Sequence, residues 1–197
     1  ILYKDNLKYN LEQIRKYVEP ETKICVAVKA DGYGHNAILT AQLANEVGNI
    51  DYFAVATVDE AIELRDAGIK NHIILLSLSI PKEFHDLFEY EITPLVFGKD
   101  YIELLSQAAD NYFKDDDKKF SVHLAVDTGM GRIGCYSNEA AEQAKLINSS
   151  NHLELSGMIT HFCVSDSLEE KNQEFTKIQY EDFCKAVESV KAAGINP

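Results

Sequence analysis

Apolar and polar positions along this chain switch repeatedly between a helical and an extended period. Leu7, Leu11, Ile14 and Val18 recur at helical spacing and predict an opening helix over residues 4–17. KICVAVK (23–29) is instead a continuous apolar run between two lysines, the pattern of a strand buried on both faces. A helix follows over about 36–47, then the strand YFAVAT (52–57) and the helix VDEAIELRDA (58–67), which stops at Gly68. The unit repeats as strand HIILLS (72–77), helix over about 82–90, strand ITPLVF (92–97) and helix over about 99–113. A charged loop, KDDDKK (114–119), leads into strand FSVHLAV (120–126). Ser137 is the expected N-cap of a helix running through AAEQAKLI. Strand HLELSGMITHF (152–162) and a long helix over about 169–193, ending at Gly194, complete the pattern. Ile1–Tyr3 reads as the tail of a strand running into the first helix.

Six strand–helix units with short connections predict a parallel α/β sheet covered by helices. Two architectures fit: a doubly wound six-stranded sheet, or most of a (β/α)8 barrel of the TIM type. No linker or composition shift divides residues 1–197, so one domain is expected. In either architecture the chemistry belongs at the carboxyl ends of the strands.

Composition narrows the partners. The chain has 197 residues, 46% of them hydrophobic, enough for a full core. Its net charge of -13, from 19 basic and 32 acidic residues, argues against nucleic acid and against an anionic membrane surface. No apolar run approaches the roughly 20 residues of a bilayer span. The amino end, ILYKDNLKYN, has neither the charged nor the apolar region of a secretory signal. Cys25, Cys135, Cys163 and Cys184 lie far apart with no C-x-x-C pair. Free thiols in a reducing cytoplasm are therefore expected, with no disulfide framework and no metal site. Cys25 and Cys163 sit in apolar runs and are expected in the core.

Three strand ends carry unusual chemistry. The first is VKADGYGH (28–35), where Lys29 closes an apolar strand. A lysine there either snorkels to solvent or, partly stripped of water, serves as a Schiff-base former. The glycines beside Tyr33 allow close backbone approach to a ligand, and the phenol can donate to an anion. The second is DTGMGRIG (127–134), which contains G-x-G-x-x-G; GYGHNA (32–37) also fits G-x-G-x-x-A. A dinucleotide turn must open a helix from inside the motif, yet after Gly134 come Cys135 and Tyr136 before the expected helix start. Two such matches in two different units point to glycine-rich loops in general. Arg132 stands out in this loop, as a guanidinium able to hold an oxyanion or phenolate in fixed orientation. The third end is GMITHF (157–162), where His161 finishes its strand. A barrel would gather these three ends over one mouth.

Together, AVKADGYGH, HLAVDTGMGRIG and GMITHF resemble the amino-terminal barrel of the bacterial alanine racemases, in order and across essentially the whole chain. The resemblance implies an incomplete (β/α)8 barrel that binds pyridoxal 5'-phosphate (PLP), with the last two barrel strands and a carboxy-terminal β-domain lying outside residues 1–197. It implies that Lys29 is the catalytic residue that links covalently to PLP and moves the α-proton on one face. It implies that Tyr33 bonds the cofactor phosphate and that Arg132 bonds the phenolic oxygen and orients the substrate carboxylate. His161 would lie against the pyridine ring. The activity implied is cytoplasmic interconversion of L- and D-alanine, supplying D-alanine for peptidoglycan. The second base would be a tyrosine from the partner subunit of a homodimer, so residues 1–197 alone are expected to be inactive. Ala125 departs from the pattern: many relatives have a carbamylated lysine there that braces the loop arginine. A bound anion such as chloride, or another side chain, would have to replace it.

Other functions remain compatible with the residues. They are a racemase of serine or of a basic amino acid, a non-catalytic PLP carrier of the same barrel fold, and a dehydrogenase of the doubly wound class.

Overall fold

The computed structural model describes residues 2–48, 50–114 and 116–197. Six parallel strands alternate with helices in the order β1-β2-β3-β4-β5-β6. Each strand pairs in sequence order with the next, which is the expected parallel α/β arrangement. The backbone divides into two compact units, one up to Pro94 and one from Leu95.

The first unit opens with α1 (Lys4–Tyr17), of which Leu11 is the buried residue. Tyr3 is extended but belongs to no strand, and Ile1 lies outside the described residues. β1 (Cys25–Ala27) is followed by a single turn, α2 (Lys29–Gly34), and by α3 (Ala37–Val47). Next come β2 (Tyr52–Val55), α4 (Val58–Asp66), β3 (His72–Leu75), a 3-10 turn Pro81–Glu83 and α5 (Phe84–Glu89). Phe53, Leu64, Ile73, Leu75, Leu87 and Ile92 are fully enclosed and form this unit's core. Gly68 ends α4 with φ +84°, the left-handed stop expected of a glycine there.

Two expectations about β1 fail together. The strand covers three residues instead of seven, and Cys25 and Ala27 are exposed. Cys25 and Ala27 share one face of β1, and that face is exposed, so the apolar run is not buried on both faces. Cys25 is therefore not a core residue.

β4 (Ile92–Val96) is buried along its whole length, pairing with β3 through Ile92–Pro94 and with β5 through Leu95 and Val96. The second unit continues with α6 (Lys99–Tyr112), β5 (Phe120–Ala125), α7 (Ala140–Asn148), β6 (Leu153–Ile159) and α8 (Glu170–Ala192). Asp115, in the charged loop before β5, lies outside the described residues. Leu95, Ile102, Leu105, Leu124, Ile147 and Leu153 fill this core. Ser137 does not cap α7. It lies in a 3-10 turn, Ser137–Glu139, because its hydroxyl donates to Asp182 (2.8 Å) and Glu139 accepts from the Tyr136 N–H (3.0 Å).

Among the described residues no helix is long and apolar enough to cross a membrane, and no group of His, Cys, Asp and Glu is placed to hold a metal ion.

Candidate functional site

In the first unit, the Val28 N–H donates to the Ala54 carbonyl (2.9 Å) and extends the β1 ladder by one residue. Lys29 comes next. It is half-buried and opens α2 rather than closing a strand. Ala30, Asp31, Gly32 and Tyr33 all have positive φ, between +51° and +62°, so α2 is a left-handed turn. For an L-residue this conformation costs about 1–2 kcal/mol. Three of the four carry a Cβ, so outside bonds must hold the turn.

Four such bonds are present. Gly32 N–H donates to Val28 O (2.7 Å) and His35 N–H to Gly32 O (3.1 Å). Asp31 Oδ1 accepts from Ala37 N–H (2.8 Å), and Glu60 Oε1 accepts from Ala30 N–H (2.7 Å). Gly32 is the one buried residue of the turn, and a Cβ there would approach Ala37 N and Thr40 Oγ1 at 3.3 Å each. Tyr33, at the end of the turn, is 62% exposed. Neither the Lys29 amine nor the Tyr33 hydroxyl bonds to another described residue. The start of α3 is already occupied, since Asn36 Oδ1 accepts from Leu39 N–H (2.8 Å) beside the Asp31 bond. GYGHNA therefore offers no free helix N-terminus to a pyrophosphate.

In the second unit, the loop after β5 returns on itself. Cys135 N–H donates to Ala125 O (3.0 Å), and Asp127 N–H donates to Cys135 O (2.8 Å). Gly134 makes this return possible: with φ +121°, a Cβ there would sit 2.4 Å from Asp127 N. The last glycine of G-x-G-x-x-G thus serves a backbone crossing, and α7 starts only at Ala140. This loop is no dinucleotide turn. Asp127 Oδ1 accepts from Gly129 N–H (2.9 Å) and Gly131 N–H (3.0 Å), folding the loop around its own carboxylate. Arg132 follows at an exposed position, and its guanidinium bonds to no described residue.

The loop is fixed from α8. Gln179 is fully buried, and its Nε2 donates to Thr128 Oγ1 (3.2 Å) and to the His161 carbonyl (3.3 Å). Its Oε1 accepts from Cys163 N–H (3.0 Å), while the Thr128 and Thr160 hydroxyls bond at 2.8 Å. Phe175 lies over Gly129, with Cζ 3.0 Å from where a Cβ would be. These bonds draw Thr160 and His161 out of the ladder, so β6 ends at Ile159 and His161 lies two residues past the strand, exposed. Cys163, expected in the core, is half-buried in the same irregular stretch. Cys135 is buried; burial first, then the Glu139 carboxylate, push its thiol up to about 12.

Ala125 is buried and offers only a methyl group. The loop backbone is held by Asp127, Gln179 and the Cys135 crossing instead. The sequence singles out Lys29, Tyr33, Arg132 and His161 as candidates and passes over Glu60 and Gln179, whose bonds hold the turn and the loop that carry them. Glu60 was signalled by T-x-x-E at Thr57–Glu60, a capping box the structure contains. Gln179 shares the buried stripe of α8 with Ala186 and Val190, so a polar residue on a core stripe was its mark.

The donor chemistry suits an anionic aldehyde such as PLP. In the first unit an amine is available for the carbonyl and a phenol for an anionic oxygen; in the second, taken by itself, an exposed guanidinium is available for an anionic oxygen.

The sequence profile of the family described as alanine racemase, N-terminal domain, matches residues 2–197. An alanine racemase of Treponema denticola is 47% identical over 197 residues, covering 100% of this chain and 51% of the relative. The solved alanine racemase of Clostridium difficile 630 superposes with a TM-score of 0.88 at 32% identity, covering 98% of this chain and 48% of that one. That of Bacillus anthracis with bound L-Ala-P gives a TM-score of 0.85 at 30% identity, covering 98% of this chain and 48% of that one. The chain spans about half the length of the relatives it matches. Its six strand–helix units are accordingly those of the amino-terminal barrel, and the chain belongs to the alanine racemase N-terminal domain family.

Proposed function

We propose that the protein interconverts L- and D-alanine with PLP, as the amino-terminal half of a cytoplasmic homodimeric racemase that supplies D-alanine for peptidoglycan. The observation that carries this reading is Lys29. It is half-buried directly after β1, bonds to no described side chain, and heads a left-handed turn held in place by other elements. Family membership supplies the reaction class.

Bound PLP would supply an electron sink for the negative charge that develops at the substrate Cα. The chain's own residues do the rest. The Lys29 amine anchors the cofactor and moves the α-proton on one face of the substrate. The Tyr33 hydroxyl donates to the cofactor phosphate. The Arg132 fork would bond the phenolic oxygen and align the substrate carboxylate, a task for a planar bidentate donor. His161 would lie against the pyridine ring, as the resemblance implies. The proton on the opposite face is handled by a tyrosine of the carboxy-terminal domain of the partner subunit, as the resemblance implies.

The test uses the whole protein with PLP and borohydride. A reduced PLP adduct on Lys29, found by peptide mass, together with D-alanine formation from L-alanine, is expected. An adduct retained in Lys29→Ala overturns the assignment, and turnover of serine or lysine in preference to alanine overturns the substrate.

A further inference from the structure

The peptide joining Lys29 to Ala30 is where the chain changes hand. Val28 has φ −118° and ψ 13°, and from Ala30 to Tyr33 the backbone is left-handed. The N–H of that peptide donates to Glu60 Oε1 (2.7 Å). The other oxygen of the same carboxylate accepts from Ala56 N–H (2.7 Å) and Thr57 N–H (3.3 Å), directly after β2. One side chain thus ties the exit of β1 to the exit of β2.

The capping of α4 does not account for this reach. The box is complete with Thr57 Oγ1 accepting from Glu60 N–H (3.2 Å) and Glu60 Oε2 accepting from Thr57 N–H. Oε1 is spent on a different element, 30 residues away. Because the peptide unit is planar, fixing its N–H direction fixes ψ of Lys29, and with it the direction of the Lys29 Cα–Cβ bond relative to the turn. A charged acceptor makes the restraint stronger than a neutral one would.

We infer that Glu60 is a positioning residue for Lys29: its carboxylate holds the Lys29–Ala30 peptide so that the left-handed turn presents the amine. The inference rests on the reading of Lys29 as the PLP-linking residue and adds the group that sets its geometry.

The experiment compares Glu60→Ala, Glu60→Gln and Thr57→Val in the whole protein. Three quantities are read: hydrogen exchange at the Ala30 amide, the rate at which PLP and borohydride label Lys29, and the thermal midpoint. Thr57→Val weakens the α4 cap and leaves the Ala30–Glu60 bond in place, so it controls for general destabilisation. Glu60→Ala should speed Ala30 exchange about tenfold or more and slow Lys29 labelling several-fold, with Glu60→Gln in between. Thr57→Val should lower the midpoint and leave both other readouts unchanged. Equal exchange and labelling in Glu60→Ala and Thr57→Val overturns the inference. If Glu60→Ala does not fold, unchanged exchange and labelling in Glu60→Gln overturns it. Absence of any Lys29 label in the unaltered protein overturns the PLP reading instead, and Ala30 exchange then still decides the role of Glu60.

Discussion

Gln179 in the middle of α8 donates to Thr128 in the loop after β5, 3.2 Å away and 51 residues back in sequence. The same amide holds the His161 carbonyl and the Cys163 N–H, so one buried side chain secures two loops that follow neighbouring strands. Gln179→Leu keeps the bulk and removes all three bonds. The part-buried Cys163 N–H and His161 carbonyl then lose their bonds to Gln179, at about 1 kcal/mol in all. A lower denaturant midpoint with an unchanged slope is expected. Gln179→Glu should be at least as damaging, because a second oxygen would face the His161 carbonyl. Wild-type stability in Gln179→Leu would show that the loops need no tie from α8.

Gly157 on β6 lies against His123 on β5, where a Cβ would fall 2.7–2.8 Å from three atoms of the imidazole ring. The strand register shifts at this point, between Val122 and His123. Gly157→Ala should therefore cost about 1–3 kcal/mol through overpacking. The penalty should shrink in a His123→Ala background. A double-mutant cycle measures this, and additive effects would mean the cost has another source.

Cys135 makes a pH-dependent contribution whose sign follows from its shift. Burial and Glu139 raise the folded thiol from 9.0 to about 12, while the unfolded thiol ionises near its ordinary value. Below the unfolded value both states hold the proton and the contribution is fully present. As pH rises from about 9 toward about 12, only the unfolded state releases it, and stability falls. The stability difference between wild type and Cys135→Ala should shrink across that window. In the native protein near pH 8, iodoacetamide should leave Cys135 unlabelled, and denaturant should expose it. Rapid native labelling at Cys135 would contradict both expectations.

The strand–helix alternation was legible because each element carried its own local mark. Gly68 and Gly194 ended their helices with positive φ, and β4 read as a buried strand because it is covered along its length. β1 was misread because an apolar run does not reveal which face of a strand is covered, and Cys25 lies on the exposed face with Ala27. The left-handed turn was invisible for a different cause. Ala30, Asp31 and Tyr33 have no intrinsic preference for positive φ strong enough to predict it, and their conformation is imposed by Glu60 and by the Asp31–Ala37 bond. Gln179 escaped notice because a polar residue in a long amphipathic helix reads as surface until its neighbours on the stripe, Ala186 and Val190, are known to be buried.

Arg132 offers the most direct test of the proposed chemistry in the second unit. Its guanidinium is exposed and bonds to no described residue, although the backbone on either side is pinned by Asp127 and by the Cys135 crossing. A rigid loop that ends in an unengaged fork is suited to a ligand with two coplanar oxygens. Arg132→Lys keeps the charge and loses the fork. Because the loop is held by other residues, the folded state should be unaffected, with a thermal midpoint within the error of wild type. In the whole protein, turnover of alanine should fall by about tenfold or more, while PLP retention, measured after gel filtration, changes less. Arg132→Ala should lower both. Unchanged turnover in Arg132→Lys would mean that Arg132 is an ordinary loop residue. A large drop in the midpoint would mean that it braces the loop and orients nothing.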